Sequence, residues 1–229
     1  MTTFMSIGYL LKTEESVVKQ TLGEYGELQD DLVKVIDLLF KLSHFLNEDV
    51  EIESDENSFQ VLAYSSYLQI PYTLKSIHDL WIKGSYLESL ILLRHIIEGF
   101  AKLKYFKNHK DEILNHINGK NRVRFKKIFD EIAPGYYGFH YGKMLSDFAH
   151  GGFKAYMLRV EYYSQTNGRV KMGCEFDTKI SGMIIYQVLS FCFGYLNNID
   201  EFFSTKNSRF NKDISDDRNS ILENLKVKM

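Results

Sequence analysis

Two prolines in 229 residues, Pro71 and Pro134, leave most of this chain free to be helical. Proline removes a backbone N–H and clashes with the preceding turn, so its scarcity permits long uninterrupted helices. The apolar spacing points the same way. Between Glu27 and Leu46 the apolar residues include Leu28, Leu32, Val35, Leu38, Leu39, Leu42 and Leu46, the stripe of a long amphipathic helix. The acidic stretch from Asn47 to Asn57 reads as a loop. Phe59 to Leu68 restarts a helix, Pro71 kinks or ends it, and Tyr72 to Lys83 continues it. Gly84-Ser85 supplies a stop and a cap before a helix that runs to about Phe106. Asp111 to Ile117 and Arg122 to Ile132 are shorter helices, separated by Asn118-Gly119. Pro134-Gly135 breaks the chain again, and Tyr136 to His150 forms a helix that Gly151-Gly152 can end.

One stretch departs from the helical period. Tyr156 to Tyr163 is rich in β-formers, Arg169 to Phe176 alternates polar and apolar residues, and Asn167-Gly168 lies between them. That is a β-hairpin pattern. A lone hairpin is marginal in water, so this one must pack on the helices or pair with another chain. Asp177 or Thr178 then caps a long apolar helix reaching about Phe203. The expected fold is all-α, a multi-helix bundle with a small β-hairpin inserted before the last long helix. Residues 1–204 form a single helical-bundle domain, with the hairpin at about 155–176. Residues 205–229 are a polar C-terminal tail, either a short helix near Ile214 to Val227 or a loose segment.

Composition narrows the function classes. Hydrophobic residues make up 45%, enough for a sizeable core. The net charge of −2 gives no general electrostatic case for nucleic acid, although nine lysines and arginines fall between Lys102 and Lys127. That strip is either a solvated face or a contact for an anionic partner. Cys174 and Cys192 stand alone, outside any CxxC or zinc spacing, which suits a reducing, cytoplasmic compartment. The N-terminal run from Met1 to Leu11 lacks the basic flank of a signal peptide. Ile180 to Ile199 has the length of a membrane span but carries Gln187, Asn197 and Asn198, so a buried core helix is expected and no membrane.

Two i, i+4 pairs are the candidate site. Arg94 and Glu98 sit in the apolar run from Leu87 to Phe100. At about 100° per residue the polar stripe of that helix is Glu88, His95 and Lys102, and the pair lies off it beside Leu87, Ile91, Ala101 and Tyr105. The pair is therefore expected to be at least partly buried, and a buried charge needs a partner. It is either an intrahelical salt bridge or part of a cross-helix site. Ser146 and His150 close the run that begins at Tyr141. There Tyr141, Met144, Leu145 and Phe148 form the apolar face, while His140, Lys143, Asp147 and His150 share the other, with Ser146 at its edge. That face is either solvated or lines a cleft or dimer interface, where histidine suits acid/base transfer and lysine suits a phosphate. No Gly-x-Ser-x-Gly, zinc pair or phosphate loop is present, so no cofactor and no metal is expected.

The Arg94/Glu98 and Tyr141/Ser146/His150 pattern resembles a group of bacterial all-helical proteins with Arg-x3-Glu and Tyr-x4-Ser-x3-His motifs. The resemblance covers about residues 60–152. That group is distantly similar to the HEPN superfamily of helical bundles, found in toxin–antitoxin and phage-defence systems. Active HEPN proteins are metal-independent ribonucleases with four to six residues between an arginine and a histidine at a dimer interface. The resemblance implies that His150 matches the catalytic histidine. In place of the arginine stands Lys143, which keeps the charge and loses the bidentate fork. Many HEPN-like proteins are inactive interaction modules. The expected function is a non-catalytic or weakly catalytic HEPN-like module of a prokaryotic defence or toxin-type system, acting as a homodimer or with a partner protein. One alternative is a metal-independent endoribonuclease in which His150 is acid/base, Lys143 contacts phosphate and Arg94/Glu98 orient the site. Another is a small-ligand-binding bundle.

Overall fold

The computed structural model describes residues 7–49, 58–120, 122–136, 145, 176–203 and 214–228. In chain order the helices are α1 (Ile7–Asp49), α2 (Ser58–Trp81), α3 (Tyr86–Asn108), α4 (Lys110–Ile117) and α5 (Phe125–Ile132). They are followed by α6 (Thr178–Asn197), α7 (Ile199–Phe202) and α8 (Ser215–Lys228). The all-α expectation holds, and the described residues contain no strand. Apart from Phe176, the hairpin expected at about 155–176 lies outside them.

The long first helix begins earlier than the apolar stripe does. Between Ile7 and Tyr25 the buried residues are Val17 and Thr21. The helix bends where Tyr25 leaves helical geometry, at φ −124° and ψ 21°. The Tyr25 hydroxyl reaches across to α6 and donates to the Thr178 carbonyl at 2.6 Å. Gly182 makes room for that ring, since a Cβ there would stand 2.7 Å from the hydroxyl oxygen. The bend is thus held from outside the helix by a side chain whose place on α6 only glycine leaves open.

Pro71 neither ends α2 nor leaves it broken. The helix continues from Ser58 to Trp81 with Pro71 inside it. Proline cannot donate to the carbonyl four residues back, which belongs to Tyr67. Ser43 of α1 brings a hydroxyl to that carbonyl, shared with its own helix. Its buried hydroxyl lies 3.0 Å from the Tyr67 carbonyl and 2.8 Å from that of Leu39. α2 then stops as its sequence indicates, at Gly84 with φ 79°. The Ser85 N–H returns to the Leu80 carbonyl and the Gly84 N–H to that of Trp81, the two bonds of a Schellman turn. Ser85 occupies the N-cap position of α3, but its hydroxyl makes no capping bond.

α2 packs on α1 and α3, and α6 packs on α1 and α3. Large aromatic residues fill the interior between them. Trp81, Tyr67 and Tyr195 are each at most 1% exposed. Each polar tip finds a backbone carbonyl on a neighbouring helix. Trp81 Nε1 donates to Ser181 at 3.0 Å, the Tyr67 hydroxyl to Tyr195 at 2.6 Å, and the Tyr195 hydroxyl to Ile96 at 3.1 Å. Phe100, Phe202 and Phe203 surround these rings in edge-on contacts.

α6 is capped by Asp177, whose carboxylate accepts the Ile180 N–H at 2.9 Å. It ends at Asn197, short of Phe203. Asn198 caps it, its backbone N–H and its side-chain amide both donating to the Gly194 carbonyl, at 3.1 and 2.7 Å. By length and composition α6 could cross a membrane, at a mean hydropathy of 1.3, yet half of that stretch is buried inside the bundle. Of the two alternatives for the C-terminal segment, the described residues show the short helix. Residues 215–228 form α8, which packs on α1 and α6 with Leu222 and Leu225 buried.

Candidate functional site

α3 carries the half of the expected site that the structure describes. Leu90, Leu93 and Ile97 are fully buried, which turns that side of the helix into the core. Glu88 and His95 are exposed, as the wheel requires. Arg94 and Glu98 stand between the two faces, with 16% and 14% of their side chains exposed. Arg94 Nε donates to Glu98 Oε1 at 2.6 Å. The partial burial expected from the sequence is therefore present. Both residues take part in at least one interaction beyond this bond. An exposed pair of this spacing contributes about 0.2–0.5 kcal/mol. Here water reaches the charges poorly, so removing one partner would cost more than the pair contributes.

The other candidate residues, His140, Tyr141, Lys143, Ser146, Asp147 and His150, lie outside the described residues. Leu145 between them is described and fully buried, in keeping with its place on the apolar face. Tyr136, at the start of the expected helix, touches Phe129 and Phe191 at ring separations of 5.4 and 6.4 Å. Burial pushes its hydroxyl up to about 12.

Five of the nine basic residues of the strip meet partners within the fold. Lys104 and Lys107 both pair with Glu201, and together they hold its carboxyl below the usual range, Lys107 contributing most. Lys126 pairs with Asp130, Lys127 with Glu112 at 3.0 Å, and Lys102 lies over the Phe125 ring at 5.1 Å. Most of these charges tie α3, α5 and α7 together. For these residues that favours the ordinary surface reading over a contact for an anionic partner.

The structure also gathers a cluster not singled out from the sequence. It sits where α3, α4 and α5 meet. His109 is the non-helical residue joining α3 to α4, and its ring stacks on Tyr105 at 4.3 Å. His109 Nε2 lies 2.8 Å from Glu131 Oε1, and Nδ1 lies 3.8 Å from Glu112. The Tyr105 hydroxyl donates to Glu112 at 3.1 Å. Lys127 holds the Glu112 carboxyl below its ordinary value, while burial raises the Tyr105 hydroxyl. An open basin of about 510 Å³ adjoins it, lined by Arg124, Lys126, Lys127, Asp130 and Glu131. The spacing Tyr105-x3-His109-x2-Glu112 was the available signal, but Glu131 joins it only through the fold. With both imidazole nitrogens facing carboxylates, this arrangement fastens helices and leaves no nitrogen free for a substrate.

Among the described residues no group of three His, Cys, Asp or Glu side chains is placed to hold a metal ion. Cys192 is fully buried, and burial pushes its thiol far above the usual range, so it is not a nucleophile. No protein-family model, curated protein or solved structure matches this chain.

Proposed function

We propose that this chain is a HEPN-like helical interaction module, non-catalytic or weakly catalytic, of a prokaryotic defence or toxin-type system working in the cytoplasm. Its contact is the polar face that His140, Lys143, Asp147 and His150 share with Ser146 at its edge, together with the β-hairpin of about 155–176. Its partner is a second copy or another protein. The observation that carries this reading is the Arg94–Glu98 pair, a 2.6 Å charged bond set into the apolar wall of α3 and only 14–16% exposed. Two charges kept among leucines suit a helix register and a contact surface fixed by polar groups. The interior also favours contact over a small ligand, because buried aromatic rings pack the space where α2, α3 and α6 meet.

The test is the double variant Arg94→Met/Glu98→Leu in the full chain, followed by thermal melting and by light scattering or partner capture. The expected result is a folded protein with weakened association. An unchanged complex removes the Arg94 helix from the contact.

A second reading rests on the Lys143-x6-His150 spacing, which resembles the active HEPN arrangement. In it His150 transfers the proton at an RNA 2′-hydroxyl, Lys143 meets the phosphate, and Tyr141 and Ser146 line the site. Wild type and His150→Ala are incubated with single-stranded RNA in EDTA. Cleavage by wild type alone supports this reading, and equal cleavage in both, or none in either, removes it.

A further inference from the structure

The basic strip between Lys102 and Lys127 contains two kinds of cation. Lys104, Lys107, Lys126 and Lys127 each meet a carboxylate of the fold. Lys120, Arg122 and Arg124 are exposed, and among the described residues none of the three joins an ion pair. They stand at every second position between the end of α4 and the start of α5. Val123, between the two arginines, packs against the core, and its N–H donates to His116 Nδ1 at 3.2 Å. Arg124 is extended, at φ −73° and ψ 138°. Two residues of chain span at most about 7 Å, so the two guanidinium groups can reach neighbouring points of one ligand. Arginine suits that task, because its planar fork takes two oxygens of an anion at once and never loses its charge.

The surroundings keep this place positive. Lys102 lies over the Phe125 ring at 5.1 Å, and Lys102 and Arg122 both depress the His116 imidazole, burial being the larger cause. On its other side Arg124 borders the open basin of about 510 Å³. That basin contains two carboxylates, but Asp130 is paired with Lys126, and Glu131 lies against His109 at 2.8 Å. The charges along α5 also run against its dipole. Lys126 and Lys127 stand in its first turn, Asp130 and Glu131 in its last. That order disfavours the helix alone and is offset by an anion held by the cations beside it.

We propose that Lys120, Arg122 and Arg124 form a binding site for linked phosphate groups. Three cations in succession exceed what one carboxylate or one phosphate neutralises, and an open surface suits a chain of anions better than a single enclosed one. Linked phosphates carry a charge at every unit and present the paired oxygens that a guanidinium fork takes. A free oligophosphate and the backbone of a single-stranded nucleic acid share this chemistry. The whole chain has a net charge of −2, so the attraction is local to this ridge and is screened by salt. The site rests on neither Arg94 nor His150.

Titration of the full chain with two probes tests it: inorganic tripolyphosphate by calorimetry, and a labelled oligouridylate by fluorescence anisotropy. Wild type should bind at least one of them. For the oligouridylate, log K should fall with log salt at a slope of roughly −2, about −0.7 for each of three cations. Arg122→Gln/Arg124→Gln should weaken binding at least about 10-fold and bring that slope near −0.7. Both arginines are exposed, so this variant should fold, and circular dichroism checks it. Lys104→Gln/Lys107→Gln makes the same change in net charge at cations already paired with Glu201, and should bind as wild type does. Tighter binding of oligouridylate per phosphate identifies a nucleic acid strand as the ligand, and tighter binding of tripolyphosphate a free phosphate chain. Either supports the site. Binding of neither probe, equal binding by the arginine variant, or an equal loss in the lysine variant overturns it. Polyglutamate competing as well as the better probe overturns the assignment to phosphate.

Discussion

The α2–α3–α6 interior and the α4–α5 corner, where Ile113, Ile128 and Phe129 are also buried, use their polar side chains in opposite ways. In the interior, Trp81, Tyr67 and Tyr195 bring large buried surfaces and send single polar tips to carbonyls on neighbouring helices. At the corner, Glu112, Lys127, His109 and Glu131 meet at side chains that are 31–56% exposed. Buried area is insensitive to salt and pH, whereas half-exposed charges are screened and titrate. The interior should therefore govern whether the protein is folded. The corner should govern whether α4 and α5 stay in place.

Four measurements can break or sharpen that contrast. The largest effect should come from Trp81→Ala, which empties fully buried volume and should cost about 3–5 kcal/mol in denaturant unfolding followed by circular dichroism. A loss close to that of a surface change would mean that the interior is not the dominant fastening. Next, Arg94→Met should cost about 2 kcal/mol by leaving Glu98 poorly solvated, and adding Glu98→Leu should recover part of it. If the double variant is less stable than the single one, the carboxylate does more than answer Arg94.

Ser43→Ala should cost about 1–2 kcal/mol, because the Tyr67 carbonyl loses its outside donor. In a Pro71→Ala background the helix regains its own N–H, so the Ser43→Ala loss should shrink. An equal loss in both backgrounds would show that the hydroxyl serves Leu39 instead. The smallest and most local effect should follow acidification. His116 sits beside Phe106, and its Nδ1 accepts the Val123 N–H at 3.2 Å. Burial first, then Lys102 and Arg122, hold its pKa below the ordinary 6.5. The unfolded chain thus takes the proton first. His116 contributes stability above about pH 6.5 that is lost as pH falls through its lowered value. Amide exchange at Val123 and along α5 should rise over that range before the interior opens, and His116→Gln should flatten the rise.

The contrast also explains what the sequence made legible. Periodicity located α3 and its half-buried pair, since Leu90, Leu93 and Ile97 mark the core side and His95 the wet side. The stop at Gly84 and the cap at Asp177 were readable as local chemistry. The first half of α1 was not, because Val17 and Thr21 are too sparse to draw a stripe. α8 stayed ambiguous for the same reason, with Leu222 and Leu225 its only fully committed apolar residues. The hydroxyl that reaches the Tyr67 carbonyl beneath Pro71 comes from Ser43, which precedes Pro71 in the chain and belongs to a different helix. No local pattern records that bond, nor the Glu131 that completes the cluster around His109. Of the site itself, the charged support was legible through its place on the wheel, while the histidine-bearing face remains a matter of sequence.

The bend at Tyr25 gives the first helix a mechanical character. The 18 residues from Ile7 to Glu24 form an arm about 27 Å long at 1.5 Å per residue. Its pivot is clamped to the start of α6 through the Thr178 carbonyl. Over such an arm a rotation of about 10° at the pivot carries the tip by about 5 Å. Ile7, Tyr9 and Leu11, all more than half exposed, ride at that tip. Val17 and Thr21, both buried, seat the inner part of this arm on the bundle, so the angle set at Tyr25 decides where the exposed apolar end is carried.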